Sequence, residues 1–493
     1  MALLLFMTLA AWAMSSALGS TPDEDYILTS IWCGTSESIG ATPYCQPDPN
    51  RAGFMIVPGL VTKPIECFHV SVAGTWGCAA CQEGIRNEVF STNKYSKGSY
   101  PKTYSDVMRN FVSADVENSV VQMRLFNSLL AALTITLAFS INLRPFRDAQ
   151  LTWLIVVTPG TAYFIGSVHN SSWTLIGTTC FVVAFMSVLK NRKVPKLWIP
   201  ASLLVLFAIW LTSSSRPEGK YALIFLAVVV FISEFPPKNL KLSKKNLFIA
   251  GSTLAIAIFI FQRATYFGQV NVFTDQRIMP EKEFPHTAND LLFNNFLRLP
   301  DFFLAFFGTF GLGFPSLSLG SIVWLFSFQS TLLLMVFAIR KSHKSHQIIF
   351  AFAFLLMTFA ILYSSQTGLY ELAYEISPRY FLPMFIGLMI IAANNKKHRY
   401  PNSLVITVAL MSTISNSVAI RDSIRRYVTG QDVYSVKSLN RGREWWWQFG
   451  PQPETVWLMG TLAFAALWAL LIYDRNKDEV DALKSPAPEL VSL

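Results

Sequence analysis

Residues 3–26 read LLLFMTLAAWAMSSALGSTPDEDY. An apolar run from Leu3 to Leu18 breaks at Gly19 and gives way to the acidic group Asp23-Glu24-Asp25. The run is long enough to enter a bilayer as helix. Three consecutive carboxylates at its exit are costly to hold against hydrocarbon, so they face water, a cation or a substrate. The fold class turns on whether this apolar pattern repeats.

It does, along the whole chain. Of 493 residues 52% are apolar and only 14% charged, a balance that excludes a string of soluble domains. By the usual length criterion about twelve spans are expected. They lie at 2–18, 125–143, 151–168, 173–189, 197–212, 221–235, 247–262, 317–338, 348–364, 380–394, 403–419 and 455–473. The segment 302–314 reads as re-entrant or as part of a longer tilted span. The expected fold is therefore an all-α polytopic transmembrane helical bundle. Residues 1–18 form the first helix, 19–120 a loop, and 121–473 the bundle, with further outer loops at 263–301 and 420–454. The polar tail 474–493, with Pro486 and Pro488, is expected to be disordered.

Orientation follows from the short loops. Arg144–Arg147, Lys190–Lys196, Lys238–Lys245, Arg340–Lys344 and Lys396–Arg399 are basic and fall on one side, which the positive-inside bias makes cytoplasmic. Both termini are then inside and residues 19–120 outside. The net charge of +10 is mostly this signal, and its dispersal among spans excludes nucleic acid as a partner. The first segment has no basic flank. It reads as an uncleaved, signal-anchor-like helix rather than a signal peptide cut near Ala17-Leu18-Gly19.

Cys33, Cys45, Cys67, Cys78 and Cys81 fall in the first outer loop, and Cys180 in a span. Clustering on an oxidising side favours disulfides, with one thiol left over. The Cys78-Ala79-Ala80-Cys81 spacing is a weak metal signal, with only His69 nearby.

Several residues suit chemistry at a lipid–water boundary. A carboxylate of Asp23, Glu24 or Asp25 meets both a polar acceptor and a lipid-borne donor, as a base for sugar transfer from a polyprenyl phosphate requires. A solvated helix exit is the plainer reading. Arg216 and Lys220 share a short outer loop and suit a prenyl phosphate, Arg with a bidentate fork. Arg379 opens a span and needs an anion or an internal partner such as Glu371 or Glu375. Arg425 and Arg426 face outward against the charge bias and ask for a phosphate or lipid headgroups. His169 and Asn170 suit sugar hydroxyls. Trp445-Trp446-Trp447 reads first as an interfacial belt, with Trp446 a candidate for stacking on a sugar. A divalent cation, Mg, Mn or Ca, would sit between these acids, Asp23 or Asp25, and the donor phosphate, though no His/Asp ligand spacing demands one.

Thr21-Pro22-Asp23-Glu24-Asp25-Tyr26 followed by Ser30-Ile31-Trp32-Cys33 resembles the start of a bacterial multi-pass membrane-protein family of undefined function, grouped with the GT-C glycosyltransferases. Further matching stretches are Thr158-Pro159, Gly166–Trp173, Ser215–Gly219, Gly311–Gly313, Pro378–Pro383 and Arg426–Gly430. The resemblance covers nearly the whole chain. It implies a GT-C-like bundle in a bacterial plasma membrane, active on the extracytoplasmic side. It also implies a polyprenyl-phosphate sugar donor, an envelope glycan acceptor, and Asp23 or Asp25 as the base. A flippase for a lipid-linked saccharide, or a non-catalytic envelope assembly partner, would use the same outward residues differently.

The topology is testable with an impermeant thiol reagent on intact cells. A cysteine introduced near Ser96 should label and one near Ser342 should not; the reverse pattern would invert the orientation.

Overall fold

The computed structural model describes residues 1–34, 40, 42–68, 78–96, 100–141, 143–157, 159–236, 288–308, 319–368, 370–372, 376–394, 399–430 and 438–484, and over them the chain is mostly helical. Helix α1 (Ala2–Met14) leads to α2 (Glu24–Cys33), the single turns α3 (Gly59–Thr62) and α4 (Gln82–Ile85), and α5 (Thr103–Arg109). The body opens with α6 (Val116–Ser140), α7 (Leu143–Val156), α8 (Pro159–Ile165), α9 (Asn170–Lys190), α10 (Pro195–Ser213) and α11 (Gly219–Glu234). It continues with α12 (Ala288–Leu297), α13 (Leu299–Leu304), α14 (Ser321–Arg340), α15 (Lys344–Gly368), α16 (Leu382–Asn394), α17 (Asn402–Val428) and α18 (Pro453–Lys484).

Among the described residues seven helices are long and apolar enough to cross a membrane: α6, α9, α10, α14, α17, Lys344–Gln366 of α15 and Pro453–Asp478 of α18. They fall on the expected spans. Helices α1 and α16 are apolar but only 13 residues each, and α11 has 16. The expected span 151–168 is instead two helices, α7 and α8. Pro159 has no N–H to continue α7 and disfavours helical backbone in the residue before it. The expected span 247–262 lies outside the described residues. So does 309–314 of the 302–314 segment, whose first part is α13 and a 3-10 turn at Ala305–Phe307.

The start of the expected disordered tail is helical, since α18 runs to Lys484. Its polar continuation has partners. Arg147 pairs with Asp474 at 3.4 Å and Asp478 at 2.9 Å, and Arg475 with Asp148 at 3.3 Å. Arg475 also donates to Asn402 and the Tyr400 carbonyl. These contacts bring the first half of α7, the residues around Tyr400 and the end of α18 together at one end of the bundle.

At the other end, residues 19–120 hold more regular structure than their composition suggests. Strands β1 (Gln46–Pro47), β2 (Met55–Pro58) and β3 (Val89–Thr92) form an antiparallel sheet in that order, with Ile56 opposite Gln46 on one side and Ser91 on the other. Disulfides join Cys33 to Cys45 and Cys67 to Cys81. Cys78 keeps its thiol and donates to Glu444 at 3.1 Å; burial and that carboxylate push the thiol up to about 11. Cys180 is a buried free thiol within α9.

Helix α1 packs between α6 and α18, and its exit is held by side chains from elsewhere. A helix end leaves its last carbonyls without intrahelical donors. Here Arg124 of α6 donates to the carbonyls of Ala13 (3.1 Å), Ser16 (2.6 Å) and Ala17 (2.9 Å). Trp447 Nε1 meets that of Met14, Ser423 Oγ that of Ser15, and Gln82 Nε2 that of Leu18. Gly19 then turns at φ +69°, where a Cβ would lie 2.7 Å from the Ile65 nitrogen. Arg124 spends its remaining reach on Glu24 Oε1 at 2.9 Å, both side chains fully buried. Four distant parts of the chain thus fix the path from α1 to the acidic group.

Removing one partner of a buried pair leaves the other charged and unpaired, which typically costs about 3–5 kcal/mol. Arg124→Met should lower the unfolding midpoint in detergent accordingly. Arg124→Lys should recover little of it, because one ammonium cannot replace the guanidinium fork. An unchanged midpoint in Arg124→Met would mean that apolar packing alone holds α1.

Candidate functional site

The three acids do not act as one cluster. Asp23 precedes α2 with φ 60° and ψ 14°, the left-handed region, and is the non-glycine residue there among those described. Asp tolerates that conformation better than most residues, and such backbone concentrates at functional sites. The turn separates Asp23 from the two acids that open α2, so each meets a different cation. Asp23 Oδ2 accepts from Arg379 Nη2 at 2.6 Å, Glu24 from Arg124, and Asp25 Oδ2 from Lys94 Nζ at 2.8 Å. Glu24 Oε2 also accepts from the Thr21 amide at 3.2 Å, tying the start of α2 back to the turn before it. Asp23 alone of the three is solvent-facing, 48% exposed, while its partner Arg379 is 7% exposed.

Arg379 lies in the 3-10 turn Pro378–Tyr380 that leads into α16. The alternative partners read from sequence fall elsewhere: Glu371 pairs with Arg298 at 3.2 Å, and Glu375 is outside the described residues. Arg379 Nη2 also approaches the Tyr380 hydroxyl, at 3.4 Å. Its Nε and Nη1 are buried and have no hydrogen-bond partner among the described residues. Buried donors left unmet are expensive, and a planar fork with free positions is the geometry that takes a phosphate or carboxylate.

A second buried guanidinium stands beside it. Arg216, between α10 and α11, donates to Ser171 Oγ at 2.7 Å and lies 2.6 Å from Glu218 Oε1. The Tyr380 ring lies between the two arginines, 4.8 Å from Arg216 and 5.3 Å from Arg379, and Tyr100 lies 5.6 Å from Arg216. Cations over aromatic faces are stabilised when desolvated. Burial works against the charge on both arginines. The carboxylates and phenols around them outweigh it, so both stay protonated.

His169 caps α9, its Nδ1 accepting from the Ser171 amide at 2.9 Å, which leaves the proton on Nε2. Burial first, then Arg379 and Arg216, push its pKa well below the usual imidazole value. Asn170 follows, 4% exposed, with Oδ1 unpartnered.

Of the residues singled out from sequence, Asp23, Arg216, Arg379 and His169 meet at one end of the bundle, with Asn170 beside them. Lys220 is exposed on the first turn of α11. Arg426 packs on Tyr427 at 5.8 Å, and Tyr427 reaches Tyr163 and Ser20 on the other flank of the 19–25 turn. Arg425 interacts with Asp422. Trp446 donates to the Pro451 carbonyl at 2.8 Å. Asp23 and Asp25 address separate cations, and no three His, Cys, Asp or Glu side chains gather as a metal set among the described residues. Sequence reading missed Arg124, Lys94, Tyr100 and Tyr380. Arg124 carried a signal, as a charge at the edge of an expected span; the tyrosines carried none.

Residues 6–388, more than half of the chain, match the family described as "Predicted membrane protein (DUF2142)", and the chain belongs to that family. No curated protein and no solved structure matches it.

His169 makes the cluster sensitive to acid. Its folded pKa is depressed, so below the unfolded value of 6.5 the unfolded state binds a proton that the folded state refuses. Stability should be flat above pH 6.5 and fall below it by up to about 1.4 kcal/mol per pH unit. His169→Asn, which keeps a capping acceptor, should remove that share of the slope. An identical pH dependence of the unfolding midpoint in both proteins would place the titration elsewhere.

Proposed function

We propose that this DUF2142 family member is an integral-membrane glycosyltransferase. It would move a sugar from a polyprenyl phosphate to a hydroxyl of an envelope glycan on the extracytoplasmic side of a bacterial plasma membrane. The proposal includes a GT-C-like bundle of about twelve spans, the short helices α1, α11 and α16 counting among them. One observation carries it: a solvent-facing carboxylate, Asp23, is held on a buried arginine whose Nε and Nη1 are unmet.

A phosphate fits those positions, with Arg216 close enough to share its charge. As it docks it competes with Asp23 for Arg379 and frees the carboxylate to act as base. The acceptor oxygen then attacks the anomeric carbon, its proton passes to Asp23, and the bond from that carbon to the phosphate oxygen breaks. The prenyl phosphate leaves with the extra negative charge, against the two guanidinium groups. Glu24 and Asp25 support this geometry: Glu24 is committed to Arg124, and Asp25 to Lys94. The chemistry needs no residue from Lys220, Arg425, Arg426 or Trp446.

The test is transfer of label from a polyprenyl-phosphate sugar to acceptor glycan by purified protein in detergent. Asp23→Asn should cut turnover by roughly 10²–10⁴-fold with donor binding retained, and Arg379→Ala should weaken donor binding. Wild-type turnover in Asp23→Asn would remove it as the base. Movement of the lipid across vesicles without a glycosidic product would replace this reading with a flippase.

A further inference from the structure

We propose that Cys67, Cys78 and Cys81 form a thiol–disulfide exchange site, in which the bridge passes from Cys67–Cys81 to Cys78–Cys81 and sets Cys67 free. The site is independent of the glycosyltransferase reading and needs no substrate.

Three features of the outer loop favour it. The existing bridge joins two short 3-10 turns, Pro64–Phe68 and Ala79–Cys81, and Cys78 keeps its thiol three residues before the bridged Cys81. A full 3-10 turn rises about 6 Å and stacks side chains three residues apart, inside the roughly 4.4–6.8 Å between the Cα atoms of a disulfide. Cys78 Sγ also accepts from the Ala80 amide at 3.3 Å, which turns it toward that helix. Finally, Cys81 is exposed, and exposed bridges are among the labile ones.

The step needs no oxidant. Cys78 loses its proton to water, and its sulfur attacks Cys81 Sγ. The Cys67–Cys81 bond breaks, and Cys67 leaves with the electron pair and takes up a proton. One thiol and one disulfide remain, as before. Glu444 restrains the attack. Its carboxylate accepts from the Cys78 thiol at 3.1 Å and, together with burial, keeps the proton on a group pushed up to about 11, whereas exchange requires the thiolate.

Where the bridge sits bears on the exit of α1. Pro64 and Ile65 lie against Gly19, and Gln82, next to Cys81, donates to the Leu18 carbonyl. Trp447, three residues after Glu444, donates to the Met14 carbonyl. Moving the bridge and parting Cys78 from Glu444 therefore slackens contacts that fix the path to Asp23.

Two measurements on the full chain in detergent test the exchange. Cys67→Ser, given oxidised glutathione, should close a Cys78–Cys81 bridge, read in unreduced chymotryptic peptides by mass spectrometry. A glutathione adduct that stays on Cys81, or two free thiols, overturns the exchange, because the pair then cannot close. Should Cys67→Ser fail to fold, labelling of the chain with all its cysteines decides. Held near pH 8.5 without added thiol, acid-quenched and alkylated, it should gain label on Cys67 as Cys78 and Cys81 become bridged. Glu444→Gln should speed this by roughly threefold or more: each pKa unit lost gives about tenfold more thiolate and about threefold less nucleophilicity. Cys67 left unlabelled in Glu444→Gln after about a day overturns the proposal, as does a labelling rate that rises with protein concentration. Equal rates with and without the carboxylate overturn the restraint assigned to Glu444.

Discussion

A single guanidinium, that of Arg124, determines where the first helix stops. Three backbone carbonyls after the middle of α1 would otherwise be buried without donors, at a cost comparable to losing as many hydrogen bonds. Water cannot supply those donors in a packed bundle, so an arginine does, with Ser423, Trp447 and Gln82 completing the run. A buried cation needs compensation in turn, and Glu24 provides it. The acidic residue is thereby placed by the helix end rather than by its own helix. Its neighbours in sequence inherit that placement.

From this follows the division of labour within Asp23-Glu24-Asp25. Successive residues of a helix point about 100° apart, and the left-handed turn at Asp23 adds a further change of direction. Three adjacent like charges are consequently never left facing one another. Each is neutralised by a cation from a different part of the chain, and the one on the outside is the one whose partner leaves two nitrogens, Nε and Nη1, unmet among the described residues.

Most of the bundle was legible, because a span announces itself through length and apolarity. The seven long helices fall where hydropathy puts them. What hydropathy could not see was local backbone chemistry: Pro159 divides 151–168, and Arg147 and Asp148 lend the polar end of α18 partners that make it helical. The site was half legible. A charged residue next to hydrocarbon demands an explanation on its own, which is why Asp23, Arg216 and Arg379 could be named. The partner each one finds depends on which loops meet, so Arg379 sits on Asp23 across 356 residues of sequence rather than on the nearby Glu371. Tyr100 and Tyr380 matter only because they fill the space between guanidinium groups, which no one-dimensional pattern encodes. Glu24 illustrates the converse, being as acidic as its neighbours yet wholly committed to architecture.

The unequal exposure of the Asp23–Arg379 pair has a consequence for the lipid around it. Asp23 is 48% exposed while Arg379 is 7% exposed. A charge is not stable in hydrocarbon, so lipid tails must stop short of this carboxylate, and water or headgroups must reach it. The pair thereby marks the depth at which oil gives way to water along this flank of the bundle.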